Sequence, residues 1–231
     1  MMAFQQIADN LWIHDGETVR FLGLPYSTRM TVVKLDQQRL WIHSPIGLTP
    51  VLQEEIDSIG KVRYLVAPNK LHHLFLSSWQ AAYPEAECYA APGLMAKRPD
   101  LAFAKELNAS AEAVWKGEIA QTLFSGSPWM QEVVFFHIDS KTLILADLIE
   151  NFEPSVFNRW QRFVAGLTGI VAPNGKTPVD WRMSFLFGKK QARAALATML
   201  EWQPDNIVIA HGECVFGHGT DFLRRSFSWL E

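Results

Sequence analysis

Three short runs constrain this chain more than any other feature: "VRYLVAP" (Val62–Pro68), "TLILAD" (Thr142–Asp147) and "NIVIAHG" (Asn206–Gly212). Each is almost continuously apolar, the pattern of a strand covered on both faces rather than on one. Such strands need helices to cover them, so the chain must build a layered α/β structure. Two of the runs also end on a titratable residue, Asp147 and His211. Layered α/β folds set their sites at strand ends, where the strand fixes position and the loop leaves access.

The rest of the chain fits that frame. "LWIHDG", "MTVVKLD" and "RLWIHSP" supply short strands before Pro45, separated by turn chemistry. Thr49-Pro50 followed by "VLQEEIDSIG" reads as an N-capped helix with proline in its first turn and a stop at Gly60. After "VRYLVAP", a helix is expected from Lys70 to Tyr83, ending before Pro84 and opening with His72 and His73. "AECYAAP" is the next strand, and a looser segment runs from Pro92 to Gly117.

A second strand group follows: "IAQTLFSG", "EVVFFHID" and "KTLILADL", the last two joined by a turn at Asp139-Ser140. Amphipathic helices are expected near Val156–Leu167, Lys189–Trp202 and Thr220–Leu230, with "NIVIAHG" between the last two. Two strand groups, each followed by helices, suit an α/β fold of the four-layer αβ/βα sandwich type. The 231 residues, 48% hydrophobic and 19% charged, are read as one domain spanning 1–231.

Several function classes are excluded at this level. A net charge of -3 with scattered Lys and Arg leaves no nucleic-acid footprint, and the pairs Lys189-Lys190 and Arg224-Arg225 read as solvated helix faces. No apolar run approaches a membrane span, and the start lacks a basic and then apolar leader, so a cytoplasmic location is expected. Cys88 and Cys214 do not form a disulfide framework. "GLTGIVAPNG" (Gly166–Gly175) follows no strand at the spacing a phosphate loop needs.

Four of the seven histidines stand at element ends: His43 after "LWI", His72 and His73 after "YLVAPNKL", and His211 after "IVIA". With Asp147 ending "TLILA", the order along the chain resembles the metallo-β-lactamase-like superfamily, and the resemblance covers nearly the whole chain. In that family a His-x-His-x-Asp-His motif follows one strand, an Asp ends a later one, and a His followed by Gly ends a strand near the C-terminus. "LVAPNKLHHLF", "TLILAD" and "IVIAHGE" stand in those places.

The motif is incomplete. Aligning its last His with His73 puts His72 in the place of the family's Asp, Lys70 in that of the second His and Pro68 in that of the first. The family's middle His belongs ahead of Asp147, near "GSPWMQE" (Gly126–Glu132), where no histidine occurs. The resemblance therefore implies a divergent branch with a degenerate site holding at most one ion. Its ligands would be His72, His73, Asp147 and His211, and the ion zinc, iron or manganese. A metal-dependent hydrolase acting on a small-molecule ester, amide or phosphate is the implied activity.

A competing reading has no metal. Lys70 pairs with Asp147 and fills the site electrostatically, leaving a catalytically inactive protein that binds a ligand or partner. A groove lined by Trp160, Phe163 and Trp181 would serve it. Other residues have plainer expectations: His137 at an exposed hairpin end or facing the site, Glu132 at a solvated strand start or replacing the missing His, and His43 in a turn or orienting a ligand. Asn69 is expected to cap the helix beside it. A Cys214 thiolate assisted by a neighbouring imidazole is conceivable, but an inert buried Cys is the commoner state.

Overall fold

The computed structural model describes residues 4–21 and 24–231; the leader reading above falls partly on residues 1–3, outside the described residues. The chain divides into two compact units. One comprises the described residues up to Glu17 together with Thr28–Asn108; the other comprises Thr18–Ser27 and Ala109–Glu231.

The first unit contains β1 (Gln5–Ala8) and β2 (Leu11–Asp15), after which the hairpin of β3 (Val19–Phe21) and β4 (Leu24–Tyr26) belongs to the other unit. It resumes with β5 (Arg29–Leu35), β6 (Arg39–His43), α1 (Pro50–Ile59), β7 (Lys61–Ala67), α2 (Leu76–Ala82), β8 (Glu87–Ala90), α3 (Leu94–Lys97) and β9 (Lys105–Glu106). The sheet order is β1-β2-β5-β6-β7-β8-β9. Pairing is antiparallel as far as β6 and parallel from there to β9.

The switch follows from the connections, since hairpin turns join antiparallel neighbours whereas α1 and α2 supply the crossovers that parallel strands require. Thr49 caps α1 by accepting from the Leu52 N–H at 3.1 Å, with Pro50 at the first position. Leu52 and Ile56 of α1 and Leu76 and Trp79 of α2 bury against Ile42, Leu65 and Cys88 of the sheet. Trp79 also donates its indole N–H to the Ile46 carbonyl at 2.7 Å.

The second unit holds β10 (Ile119–Phe124), β11 (Glu132–His137), β12 (Thr142–Ile144), α4 (Arg159–Thr168), α5 (Val179–Ser184), α6 (Lys189–Glu201), β13 (Asn206–Val208) and α7 (Gly219–Ser226). Its sheet runs β10-β11-β12-β13, antiparallel except for the parallel pair β12·β13. Phe124, Val134, Leu143 and Ile207 form a core with Ala195 and Met199 of α6 and Leu223 of α7. Among the described residues no helix is long and apolar enough to cross a membrane.

Two expectations about elements change. The helix expected over Lys70–Tyr83 is only α2, and His72 and His73 lie in the turn ahead of it. Asn69, almost fully buried, accepts from the Leu71 and His72 N–H groups at 2.8 and 3.2 Å, so it closes that turn and does not cap the helix. The segment expected to be loose after Pro92 holds α3 and the edge strand β9.

Candidate functional site

In the first unit the residues of interest follow β6 and β7. Ser44, in the left-handed region at φ 54°, bonds the Val66 carbonyl through its N–H, which ties the two strand ends together. Its hydroxyl lies 2.5 Å from Nδ1 of His72, so it sets the ring's orientation and leaves Nε2 as the outer nitrogen.

His73 is held differently. Arg98 donates from Nη1 to its Nδ1 at 2.8 Å, and a guanidinium only donates, so the neutral ring carries its proton on Nε2. Burial, then the charges of Lys97 and Arg98, hold this imidazole below its usual range. His73, expected as a ligand beside His72, thus has its lone-pair nitrogen engaged by an arginine. The Lys70 stem lies along Gly93, and its carbonyl accepts from Lys97 Nζ at 2.7 Å.

His43 is buried and stacked on Trp41 at 5.6 Å. Burial first and His72 second depress its imidazole to about 3. In the unfolded chain a histidine takes up a proton as pH falls below about 6.5, whereas the folded protein accepts it only near 3. This contribution to stability is complete above that range and is lost as pH falls through it. The free energy of unfolding from urea titrations is expected to drop steeply between these values, by on the order of 5 kcal/mol in total, and His43→Asn should flatten that limb. An unchanged acid limb in the variant would refute the assignment.

In the second unit the parallel register pairs Ile144 with Val208. Asp147 and His211 each lie three residues beyond those partners, and Nε2 of His211 stands 2.9 Å from Oδ1 of Asp147. Both residues are buried. On the other side of the ring, Nδ1 lies 2.6 Å from the Ser27 carbonyl and must donate to it. A neutral His211 would then turn the lone pair of Nε2 toward a carboxylate oxygen. Two acceptors at that distance need a cation between or upon them, either a proton on the imidazole or a metal ion. Burial opposes the charged ring, but the hydrogen bond and charge of Asp147, with Glu150, outweigh it and raise His211 above its usual range.

The loop carrying Asp147 is fixed by Glu132, which is fully buried at the start of β11 and accepts from the Ala146 and Asp147 N–H groups, both at 2.8 Å. Neither expectation for Glu132 holds, since it is not solvated and its two oxygens serve the backbone. Glu150 lies nearby with Tyr26 donating to Oε2 at 3.4 Å. Burial, with Asp147 and Asp180 adding to it, pushes this carboxyl up to about 8. Tyr26 also sets its ring edge-on to His211 at 5.2 Å.

Asn151 joins the two loops, receiving the Gly175 N–H on Oδ1 at 3.1 Å and donating to the Glu213 carbonyl at 2.8 Å. His137, read from sequence as an exposed strand end, is buried and bonded to Ser140 at 2.7 Å. Cys88 and Cys214 are both thiols. Burial pushes the Cys88 thiol up to about 12, while Cys214 is half-buried.

Sequence reasoning named His72, Asp147 and His211 but missed the residues that bond to them. Ser27, Ser44, Tyr26, Arg98 and Glu150 carried no local signal.

A mixed α/β chain of two larger sheets and a two-stranded one, with polar residues at the ends of β7, β12 and β13, has the metallo-β-lactamase-like fold, and solved structures bear this out. The DIM-1 metallo-β-lactamase exposed to ceftazidime superposes with a TM-score of 0.66 at 16% identity, covering 99% of this chain and 96% of that one. A metallo-β-lactamase from Pontibacter korlensis gives 0.63 at 12%, covering 100% and 99%. FIM-1 from Pseudomonas aeruginosa in its mono-zinc form gives 0.65 at 12%, covering 99% and 94%.

By sequence the chain belongs to the family described as a domain of unknown function (DUF4336), which matches residues 8–163. That match includes His72, His73 and Asp147 and stops before His211. No curated protein sequence matches the chain.

Proposed function

We propose that this protein is a metal-dependent hydrolase with a single-ion site built on Asp147 and His211. The observation that carries the reading is the approach of Nε2 of His211 and Oδ1 of Asp147 to 2.9 Å while the Ser27 carbonyl takes the proton of the other ring nitrogen, a geometry that either a proton on Nε2 or a metal ion in its place holds. Imidazole and carboxylate donors suit zinc, iron or manganese. That the fold accommodates one ion is supported by FIM-1, which is described in a mono-zinc form.

In this reading, a bound ion supplies Lewis acidity that lowers the pKa of water and polarises an ester, amide or phosphate. The chain's own groups do the positioning. The Ser27 carbonyl selects the His211 tautomer, and Glu132 fixes the peptide that carries Asp147. Glu150, protonated at neutral pH, offers an acid beside this set without adding a second full negative charge. His73 stays with Arg98 outside the ligand set.

The test is elemental analysis of protein purified without chelators or an affinity tag, with a thermal-shift titration of zinc beside it. About one equivalent of metal and a zinc-dependent rise in melting temperature are expected, both lost in His211→Ala. Neither signal after incubation with zinc would overturn the hydrolase reading and favour an inactive protein that binds a ligand or partner.

A further inference from the structure

Helix α4 has its apolar stripe on the wrong side for a helix that packs by it. Trp160, Phe163 and Leu167, spaced three and four apart, are 71%, 58% and 70% exposed, while Ala165 is the one fully buried residue of the helix. The helix is nonetheless firmly built, since Asn158 and Gln161 form a reciprocal capping box.

The segment after it repeats the pattern. Met183, Leu186 and Phe187 are 73%, 65% and 99% exposed, again at helical spacing across the end of α5. The two segments meet where Arg182 donates to the Thr168 carbonyl at 3.0 Å. Trp181, grouped with Trp160 and Phe163 in the groove expected from sequence, packs inward on the core instead, so these residues line no groove.

Charge sets the partner. Between Glu153 and Lys190 the chain carries six basic residues, Arg159, Arg162, Lys176, Arg182, Lys189 and Lys190, against two acidic ones, Glu153 and Asp180. The segment is thus +4 in a protein of net charge -3, which leaves -7 for the remainder. On α4 itself Arg159 and Arg162 are exposed beside the apolar stripe, and the helix has no acidic residue. An exposed Trp and Phe stripe flanked by arginines is the composition of a helix that lies in the headgroup region of an anionic bilayer.

We propose that α4 and the 183–187 segment form a surface that docks this protein reversibly on anionic lipid membranes. Trp160, Phe163 and Phe187 enter the interface while Arg159 and Arg162 meet the lipid headgroups.

Flotation of the full chain with vesicles tests this. It is expected to float with phosphatidylcholine vesicles containing about one-third phosphatidylglycerol and to remain below with phosphatidylcholine alone. Raising salt to about 0.5 M should release most of it. Trp160→Ser/Phe163→Ser, which alters only exposed side chains, should reduce the bound fraction several-fold with unchanged melting temperature, and Arg159→Glu/Arg162→Glu, which also gives up the bond from Arg162 Nε to the Pro154 carbonyl, should reduce it as much while the chain stays folded.

Failure to float with anionic vesicles, or flotation insensitive to both variants, would overturn the proposal. Failure to float together with a dimer in size-exclusion chromatography that Trp160→Ser/Phe163→Ser abolishes would overturn it and assign the face to a second copy of the chain.

Discussion

Glu132→Ala is expected to lower the free energy of unfolding by about 3 kcal/mol or more and, under the proposed single-ion reading, to abolish metal retention with it. The carboxylate is fully buried and accepts two backbone N–H groups, from Ala146 and Asp147, at 2.8 Å each. Truncation leaves both donors without this acceptor in a place water does not reach, and each such group costs on the order of 1–3 kcal/mol. It also removes the contact that fixes the peptide of Asp147.

Glu132→Gln separates these contributions. One oxygen still accepts, but the other position becomes an amide that can only donate toward an N–H, so an intermediate loss is expected. Urea denaturation of both variants beside the parent chain measures it. A cost below about 1 kcal/mol for the alanine variant would show that the loop is held by something else.

Gly212→Ala has a comparable expected effect through backbone geometry. The residue after His211 adopts φ +97°, a region L side chains rarely enter. An added Cβ would stand 2.2 Å from the Asn151 carbonyl oxygen and 2.7 Å from the Phe152 nitrogen, so backbone must move. Strain and displacement together should cost about 3 kcal/mol or more. The movement would fall on the bridge between Asn151 and Gly212 and on the Gly212 N–H that donates to Ser27, whose carbonyl fixes the His211 ring. Under the proposed single-ion reading, a folded Gly212→Ala protein should therefore bind zinc more weakly than the parent by at least tenfold, the scale expected when the supports of metal ligands are lost. Normal stability and normal zinc affinity in this variant would contradict the account.

How much of this was legible in the sequence depended on whether the controlling interaction was local. Thr49, Pro50 and Gly60 bound α1 because caps, first-turn prolines and glycine stops act within a few residues. β7, β12 and β13 could be read from unbroken apolar runs. The turn at His72 was misread as helix because an Asn that closes a turn on the next two N–H groups looks, in sequence, like an N-cap.

Glu132 was misread for a different reason. Its partners lie 14 and 15 residues away, and a Glu at a strand start is ordinarily solvated. Arg98 reaches His73 across 25 residues and Ser27 reaches His211 across 184, distances at which no spacing rule operates. For α4 the period was readable, but the side that faces outward was not.

The parallel register of β12 and β13 has a consequence for how this chain tolerates change. The proximity of Asp147 and His211 is fixed by which residues pair between the two strands, not by the length of the chain joining them. Changes confined to the outward face of that long connection, the exposed side of α4 above all, can alter what the protein meets without moving the two residues relative to each other. A single residue added inside either strand would instead displace the pair and turn its core side chains outward at once. The outer face of the connection is the interchangeable part, and the strand pair is the fixture to which it is fitted.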